Sequence, residues 1–170
     1  MSGPRRRDRS NAPLDTKAAR VAAFDLLARK AWSRRDLAAR LRRRGAAPEV
    51  AAEVVAELEG KGYLDDVAFA RWWAEARARG RRVGSVRLRG ELRARGIPPD
   101  LAAAAVASAF EEVPERERAL DAGRRRLSVL ARGPAERRPA RLRDYLLRRG
   151  YPASTAISVV AELLGAAPDD

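Results

Sequence analysis

"LAARLRRRG", residues 37–45, returns twice along the chain, as "LRGELRARG" at 88–96 and as "LRDYLLRRG" at 142–150. The three align without gaps on a leucine, a second leucine four residues on, and an Arg-Gly pair. These are Leu37, Leu41, Arg44 and Gly45; Leu88, Leu92, Arg95 and Gly96; and Leu142, Leu146, Arg149 and Gly150. Leucines four apart share one face of a helix. The glycine then falls where a helix ends on a left-handed residue. A short Pro-bearing link follows each time, "AAP", "IPP" or "YPA", and Pro suits the first turn of a further helix.

That further helix has an apolar stripe in each copy: Val50, Val54, Val55 and Leu58; Leu101, Ala105, Val106 and Phe110; Ala156, Val159, Val160 and Leu163. Spacings of three and four mark an amphipathic helix. In the first copy Glu49, Glu53 and Glu57 lie outside the stripe. A helix also precedes each element. The first covers about 16–31 and should pack Val21, Phe24, Leu27 and Ala28. The second covers about 66–79, packing Phe69, Trp72, Trp73 and Ala76, and the third about 115–131, packing Leu120, Leu127 and Leu130. Ala, Leu, Arg and Glu dominate, and alternating β-branched runs are missing. The expected fold is all-α, an elongated array of three tandem three-helix repeats at residues 15–62, 63–112 and 113–165. A disordered basic tail is expected at 1–14 and a short C-terminal tail at 166–170.

The junction between the first two repeats reads "GYLDDVAFARWW", residues 62–73. Gly62 suits the end of a helix, and Tyr63 and Leu64 should pack between repeats. Asp65 should cap the next helix through backbone N–H groups, with Asp66 in its positive first turn. A catalytic or metal-binding pair is the competing reading. Adjacent residues in a helical turn point about 100° apart, so they do not converge on one ion. The sequence has no His and no Cys to complete a metal set, and no phosphate-loop, nucleophile-elbow or dinucleotide signature. No cofactor is expected, and enzymatic activity has only scattered Ser, Thr and carboxylates in its favour.

Lys and Arg number 36 against 23 acids, a net charge of +13, which points to a polyanionic partner. The distribution is uneven: fourteen cations fall in residues 1–44, ten in 61–95, twelve in 116–149, and none elsewhere. Each repeat is therefore basic on its first two helices and non-basic on its third. The densest groups are Arg40, Arg42, Arg43 and Arg44; Arg77, Arg79, Arg81 and Arg82; Arg87, Arg89, Arg93 and Arg95; Arg124, Arg125 and Arg126; and Arg137, Arg138, Arg141 and Arg143. Together they form the candidate partner- or DNA-binding face. Sequence-specific DNA reading is disfavoured: a third helix without Arg or Lys cannot serve as a basic recognition helix, and the chain has no Gln and one Asn, Asn11. Most aromatics fall on packing faces, with Trp32 and Tyr151 the least certain. Two partner classes remain: bare nucleic acid held by its phosphates, and a protein that carries nucleic acid. No apolar run approaches the roughly 20 residues of a membrane span, so a cytoplasmic monomer is the simplest expectation.

At these residues the chain resembles the RecX family, bacterial regulators of the recombinase RecA. Gly62, Leu64, Asp65, Asp66, Phe69 and Ala70, then Gly84, then Leu88, Leu92, Gly96 and Ile97 match the family's pattern in order. The resemblance covers about residues 16–165, with its specific part in the middle repeat, and leaves out the basic tail. It implies a modular helical protein that lies in the groove of the RecA–DNA filament. It also implies modulation, usually inhibition, of the recombinase's ATPase, strand-exchange and coprotease activities. A non-specific DNA-binding, nucleoid-type protein is the alternative.

Overall fold

The computed structural model describes residues 13–165, which run through nine α-helices, with one isolated bridge and no strand among the described residues. The first repeat contains α1 (Thr16–Leu27), α2 (Arg34–Arg43) and α3 (Pro48–Gly60). The second contains α4 (Asp66–Arg81), α5 (Ser85–Ala94) and α6 (Pro99–Ala109). The third contains α7 (Glu115–Leu130), a 3-10 turn (Ala135–Arg137), α8 (Arg138–Arg149) and α9 (Ala153–Leu164). The fold is thus all-α, three tandem three-helix repeats. Residues 1–12 and 166–170, in the expected tails, lie outside the described residues.

The repeated Arg-Gly elements end α2, α5 and α8 in the same way. Gly45, Gly96 and Gly150 adopt φ of 98°, 80° and 85°. The next residue then donates its N–H back to the second leucine's carbonyl: Ala46 to Leu41 at 3.1 Å, Ile97 to Leu92 at 3.1 Å, Tyr151 to Leu146 at 3.2 Å. This is the Schellman arrangement, in which a left-handed residue lets the chain reverse and satisfies helix-end carbonyls. The reversal buries Ala46, Ile97 and Tyr151 beside leucines that are fully buried.

The chain forms two compact units, residues 13–69 and 70–165 among those described. In the first, Ala19, Ala23 and Leu26 of α1 meet Leu37 and Leu41 of α2 and Ala51, Val54, Val55 and Leu58 of α3. Leu14 leads into this core, its N–H donating to the Gly45 carbonyl at 3.0 Å. The expected packing of Val21, Phe24 and Ala28 is corrected: all three are exposed. Likewise α4 buries Phe69, Ala70, Ala74 and Ala78, leaving Trp72 and Ala76 exposed and Trp73 half-buried. Both helices turn a stripe of small residues inward, which lets helix axes approach closely and pushes larger side chains to the rim. Helix α1 also stops four residues short of the expected end, at Leu27. The Leu26 carbonyl there accepts from the Arg29 N–H (3.2 Å) and the Trp32 indole (3.0 Å).

At the junction, Leu64 is buried in the first core, but Tyr63 is exposed and meets Phe24 edge-on, ring centroids 5.1 Å apart. One Asp65 oxygen accepts from the N–H groups of Val67 (2.8 Å) and Ala68 (3.0 Å), the expected cap. Asp66 does more than sit in a first turn. Buried, it accepts from the Arg34 backbone N–H at 2.9 Å and the Arg34 Nε at 3.0 Å, closing the start of α2. Glu115 repeats this one module later: first residue of α7, it accepts from the Ser85 N–H at the start of α5, 2.6 Å away.

Within the second unit, the link before α5 lies against the turn after α8. Gly84 donates to the Arg149 carbonyl (2.9 Å) and Val86 to the Gly150 carbonyl (3.0 Å), while the buried Tyr151 hydroxyl donates to the Arg82 carbonyl (3.0 Å). A Cβ on Gly84 would come within 2.5 Å of Gly150 and Tyr151 backbone atoms.

Two outcomes are expected. Gly84→Ala should destabilise the second unit by about 1–3 kcal/mol, the usual cost of forcing extra atoms into a packed contact. Urea unfolding with an unchanged midpoint would show that the two glycine-bearing links do not touch. Asp65→Ala should cost about 1 kcal/mol. Asp66→Ala should cost more, about 2 kcal/mol, because it removes buried bonds to a charged acceptor. Equal midpoints for the two variants would contradict the second role given to Asp66.

Candidate basic docking surface

The arginines of the expected face separate into those engaged within the chain and those directed at solvent. On α2, Arg40, Arg42, Arg43 and the capping Arg44 are exposed, with no ion pair among the described residues. Three of them stand in the last turn, where cations complement the helix dipole. That accounts for part of their placement, but not for so many unpaired charges together.

The α4 group is largely occupied. Arg77, little exposed, donates through Nε and a terminal nitrogen to Glu91 at 2.9 and 2.6 Å. Arg79 bonds Glu112 and lies 3.8 Å from Glu75. Arg82, at a positive φ of 50°, pairs with Asp121 at 2.6 Å. Arg81 is exposed and its carbonyl accepts from Arg149. On α5, Arg87 joins Glu91 at 3.0 Å, and Arg95 lies 3.8 Å from the centroid of the Trp73 ring while donating to the Glu91 carbonyl. Only Arg89 and Arg93 of this group face outward without a partner among the described residues.

In the third repeat Arg125 pairs with Asp121, Arg126 lies over Tyr145 at 5.4 Å, and Arg138 donates to the carbonyls of Ala131 and Gly133. Arg143 stands 3.8 Å from its neighbour Asp144. Arg124, Arg137 and Arg141 are exposed. Outward cations without an ion pair among the described residues thus recur on the second helix of each repeat, with the largest group on α2, while Arg71 and Arg81 of α4 and Arg124 of α7 are exposed as well. The third helices α3, α6 and α9 carry neither Arg nor Lys.

Charge composition could not show how Glu91 gathers its neighbours. It accepts from Arg77, Arg87 and the Trp73 indole at once. Burial alone would push its carboxyl up; the bonds from Arg77 and Arg87 outweigh that and hold it below the ordinary value. Asp121 is likewise held low, first by Arg82, against the effect of burial, and then by Arg125. The only sequence signal for either was spacing: Arg87–Glu91 and Asp121–Arg125 are each four apart on a helix.

No cluster of His, Cys, Asp or Glu that could hold a metal occurs among the described residues, and the junction aspartates are committed to helix starts. No described helix is long and apolar enough to cross a membrane. The fold and its surface define a modular helical protein: tandem three-helix domains, carboxylates sealing the junctions, and arginines outward on each second helix. The chain belongs to the RecX family. The model of the first three-helix domain of RecX matches residues 19–58, and that of the second matches residues 65–106. The chain is 38% identical over 158 residues to the regulatory protein RecX of Thermobifida fusca (strain YX), covering 92% of this chain and 85% of that one. It is 39% identical over 135 residues to the regulatory protein RecX of Thermus thermophilus, covering 79% and 84%. The crystal structure of RecX from Lactobacillus salivarius shares the fold, with a TM-score of 0.74 at 15% identity over 87% of this chain and 96% of that one.

Glu91 sets a pH dependence whose sign is fixed. A carboxyl held below its ordinary 4.5 stabilises the fold fully above that value, and the contribution is lost as pH falls below it. Glu91→Gln should therefore lower stability by about 2 kcal/mol near neutrality, with the difference from wild type closing in acid. Urea midpoints followed by tryptophan emission at pH 7 and pH 3 measure this. A gap of the same size at both would assign the effect to packing instead.

Proposed function

We propose that this chain binds the groove of the RecA–DNA filament and modulates the recombinase, lowering its ATPase, strand-exchange and coprotease activities. It works as a cytoplasmic monomer, without a cofactor and without turnover of its own. Membership of the RecX family supports the reading, and one structural observation carries it: outward arginines recur on the second helix of all three repeats. A filament presents a repeating surface, and several modest contacts on one chain act multivalently. Each arginine need contribute little, since an exposed ion pair is worth about 0–1 kcal/mol.

A second reading, direct and non-specific binding to bare DNA, is favoured by the net charge of +13. The ATPase rate of the cognate recombinase on single-stranded DNA separates the two when titrated with this protein at fixed salt. Loss of ATPase well below the concentration that coats the same DNA without recombinase is expected. Loss only at saturation of the DNA would favour the second reading. The double variant Arg89→Ala/Arg93→Ala should raise the half-inhibiting concentration about tenfold, as expected for two such contacts, and weaken its salt dependence. An unaltered titration would move the contact away from α5.

A further inference from the structure

The same repeat position is filled in three different ways. Three residues after the first leucine stand Arg40, Glu91 and Tyr145; four residues further stand Arg44, Arg95 and Arg149. In the second repeat Glu91 supplies a carboxylate, and Arg95 is held on the Trp73 ring. In the third, Arg149 lies 5.1 Å from the Tyr145 ring and donates to the Arg81 carbonyl. In the first, the position that holds an acid or an aromatic elsewhere holds another arginine, and Arg44 has no side-chain partner among the described residues.

Around this position the first unit has an open groove of about 470 Å³, lined by Arg29, Lys30, Arg40, Arg43 and Arg44. Asp36 is the acid among its lining residues, and the half-buried Trp32 forms part of its wall. The Trp32 indole N–H is spent on the Leu26 carbonyl at 3.0 Å, which fixes the ring. Over its face lies the Lys30 ammonium, 3.9 Å from the centroid. The groove of about 500 Å³ in the second unit contrasts with this: its Arg79 and Arg82 are paired with Glu112 and Asp121.

We propose that this first-unit groove is a binding site for single-stranded nucleic acid, with phosphates on Arg40, Arg43, Arg44 and Arg29 and a base against Trp32 in place of the Lys30 ammonium. Several unpaired cations against one acid call for a ligand with more than one negative charge. A fixed indole among them suits a base, because proteins that hold single strands without sequence preference combine a cationic groove with an aromatic face for stacking. An acidic peptide would use the cations and leave the ring idle. The site needs no recombinase, so it stands or falls apart from the filament reading.

The test uses the whole protein, a fluorescein-labelled twelve-residue oligothymidine, and a glutamate-rich peptide of equal charge. Anisotropy is followed from low to physiological salt. Arg40→Ala/Arg44→Ala should weaken oligothymidine binding at least tenfold and reduce the slope of log affinity against log salt by about 1.4, or about 0.7 for each single-strand phosphate that is no longer neutralised. Arg71→Ala/Arg132→Ala removes the same charge from exposed positions of the second unit and should change affinity less than twofold. Oligothymidine should quench tryptophan emission in the wild type and not in Trp32→Phe. Equal losses in the two arginine variants would overturn the proposal in favour of diffuse charge. Peptide binding as tight as the oligonucleotide's, or quenching that survives Trp32→Phe, would overturn it in favour of an acidic-peptide site. If Trp32→Phe does not fold, the two arginine pairs, whose side chains are outside the cores, still decide it.

Discussion

Each repeat depends on a left-handed glycine after its second helix. Without positive φ at Gly45, Gly96 and Gly150, the chain could not fold back to bring Ala46, Ile97 and Tyr151 against the leucines behind them. The reversal also delivers the prolines that start the third helices. In the third repeat the same turn has a second use, since its carbonyls accept the N–H groups of Gly84 and Val86. Gly150 faces Arg87 there and Gly84 faces Gly150, so neither leaves room for a Cβ. The seat between the second and third repeats is consequently a backbone contact, which fixes its position more tightly than interdigitating side chains would.

The carboxylates that open α4 and α7 add a second constraint of the same kind. Asp66 and Glu115 each lie at the positive end of their own helix and reach the positive end of another, α2 or α5. Two helix starts thereby share one negative charge. A buried carboxylate is costly unless its oxygens are satisfied, and Asp66 meets that condition with two bonds from Arg34. The adjacent acids at 65 and 66 are thus both engaged at helix starts. They serve two different helices.

Much of this was legible in the sequence because it is local. The leucine spacing, the terminal glycines and the Pro-bearing links set the repeat, and Asp65 caps α4 as its position implies. What was not legible depends on which side of a helix faces inward when small and large residues compete. Hydrophobicity favours Phe24 and Trp72 over Ala23 and Ala74, yet close helix approach buries the alanines. Pairing over long sequence separations was equally hidden. Nothing around Arg82 announces Asp121, 39 residues away, or around Trp73 its bond to Glu91. The arginine clusters were visible as charge, while their division into engaged and outward members depended on those contacts.

That division changes what the net charge means. Two of the third helices, α3 and α9, are not merely non-basic; they answer cations of other elements in their own repeat. Glu57 of α3 takes both Nε and a terminal nitrogen of Arg20 of α1 and also accepts from Lys61, bonds that hold its carboxyl down at about 2. Glu59 meets Arg34, and Glu162 of α9 meets Arg116 of α7. Charge on the first helices is therefore partly cancelled inside each repeat. The outward arginines of α2, α5 and α8, together with Arg71, Arg81 and Arg124 of the first helices, are left to set the field that a polyanion feels. Exposed charges of this kind are screened by salt beyond about 10 Å, so their steering acts at close range. There the repeats cease to be equivalent, because Arg40 in the first stands where the second has Glu91 and the third Tyr145. Similar helices thus offer a partner three different surfaces, the most cationic of them on the first repeat.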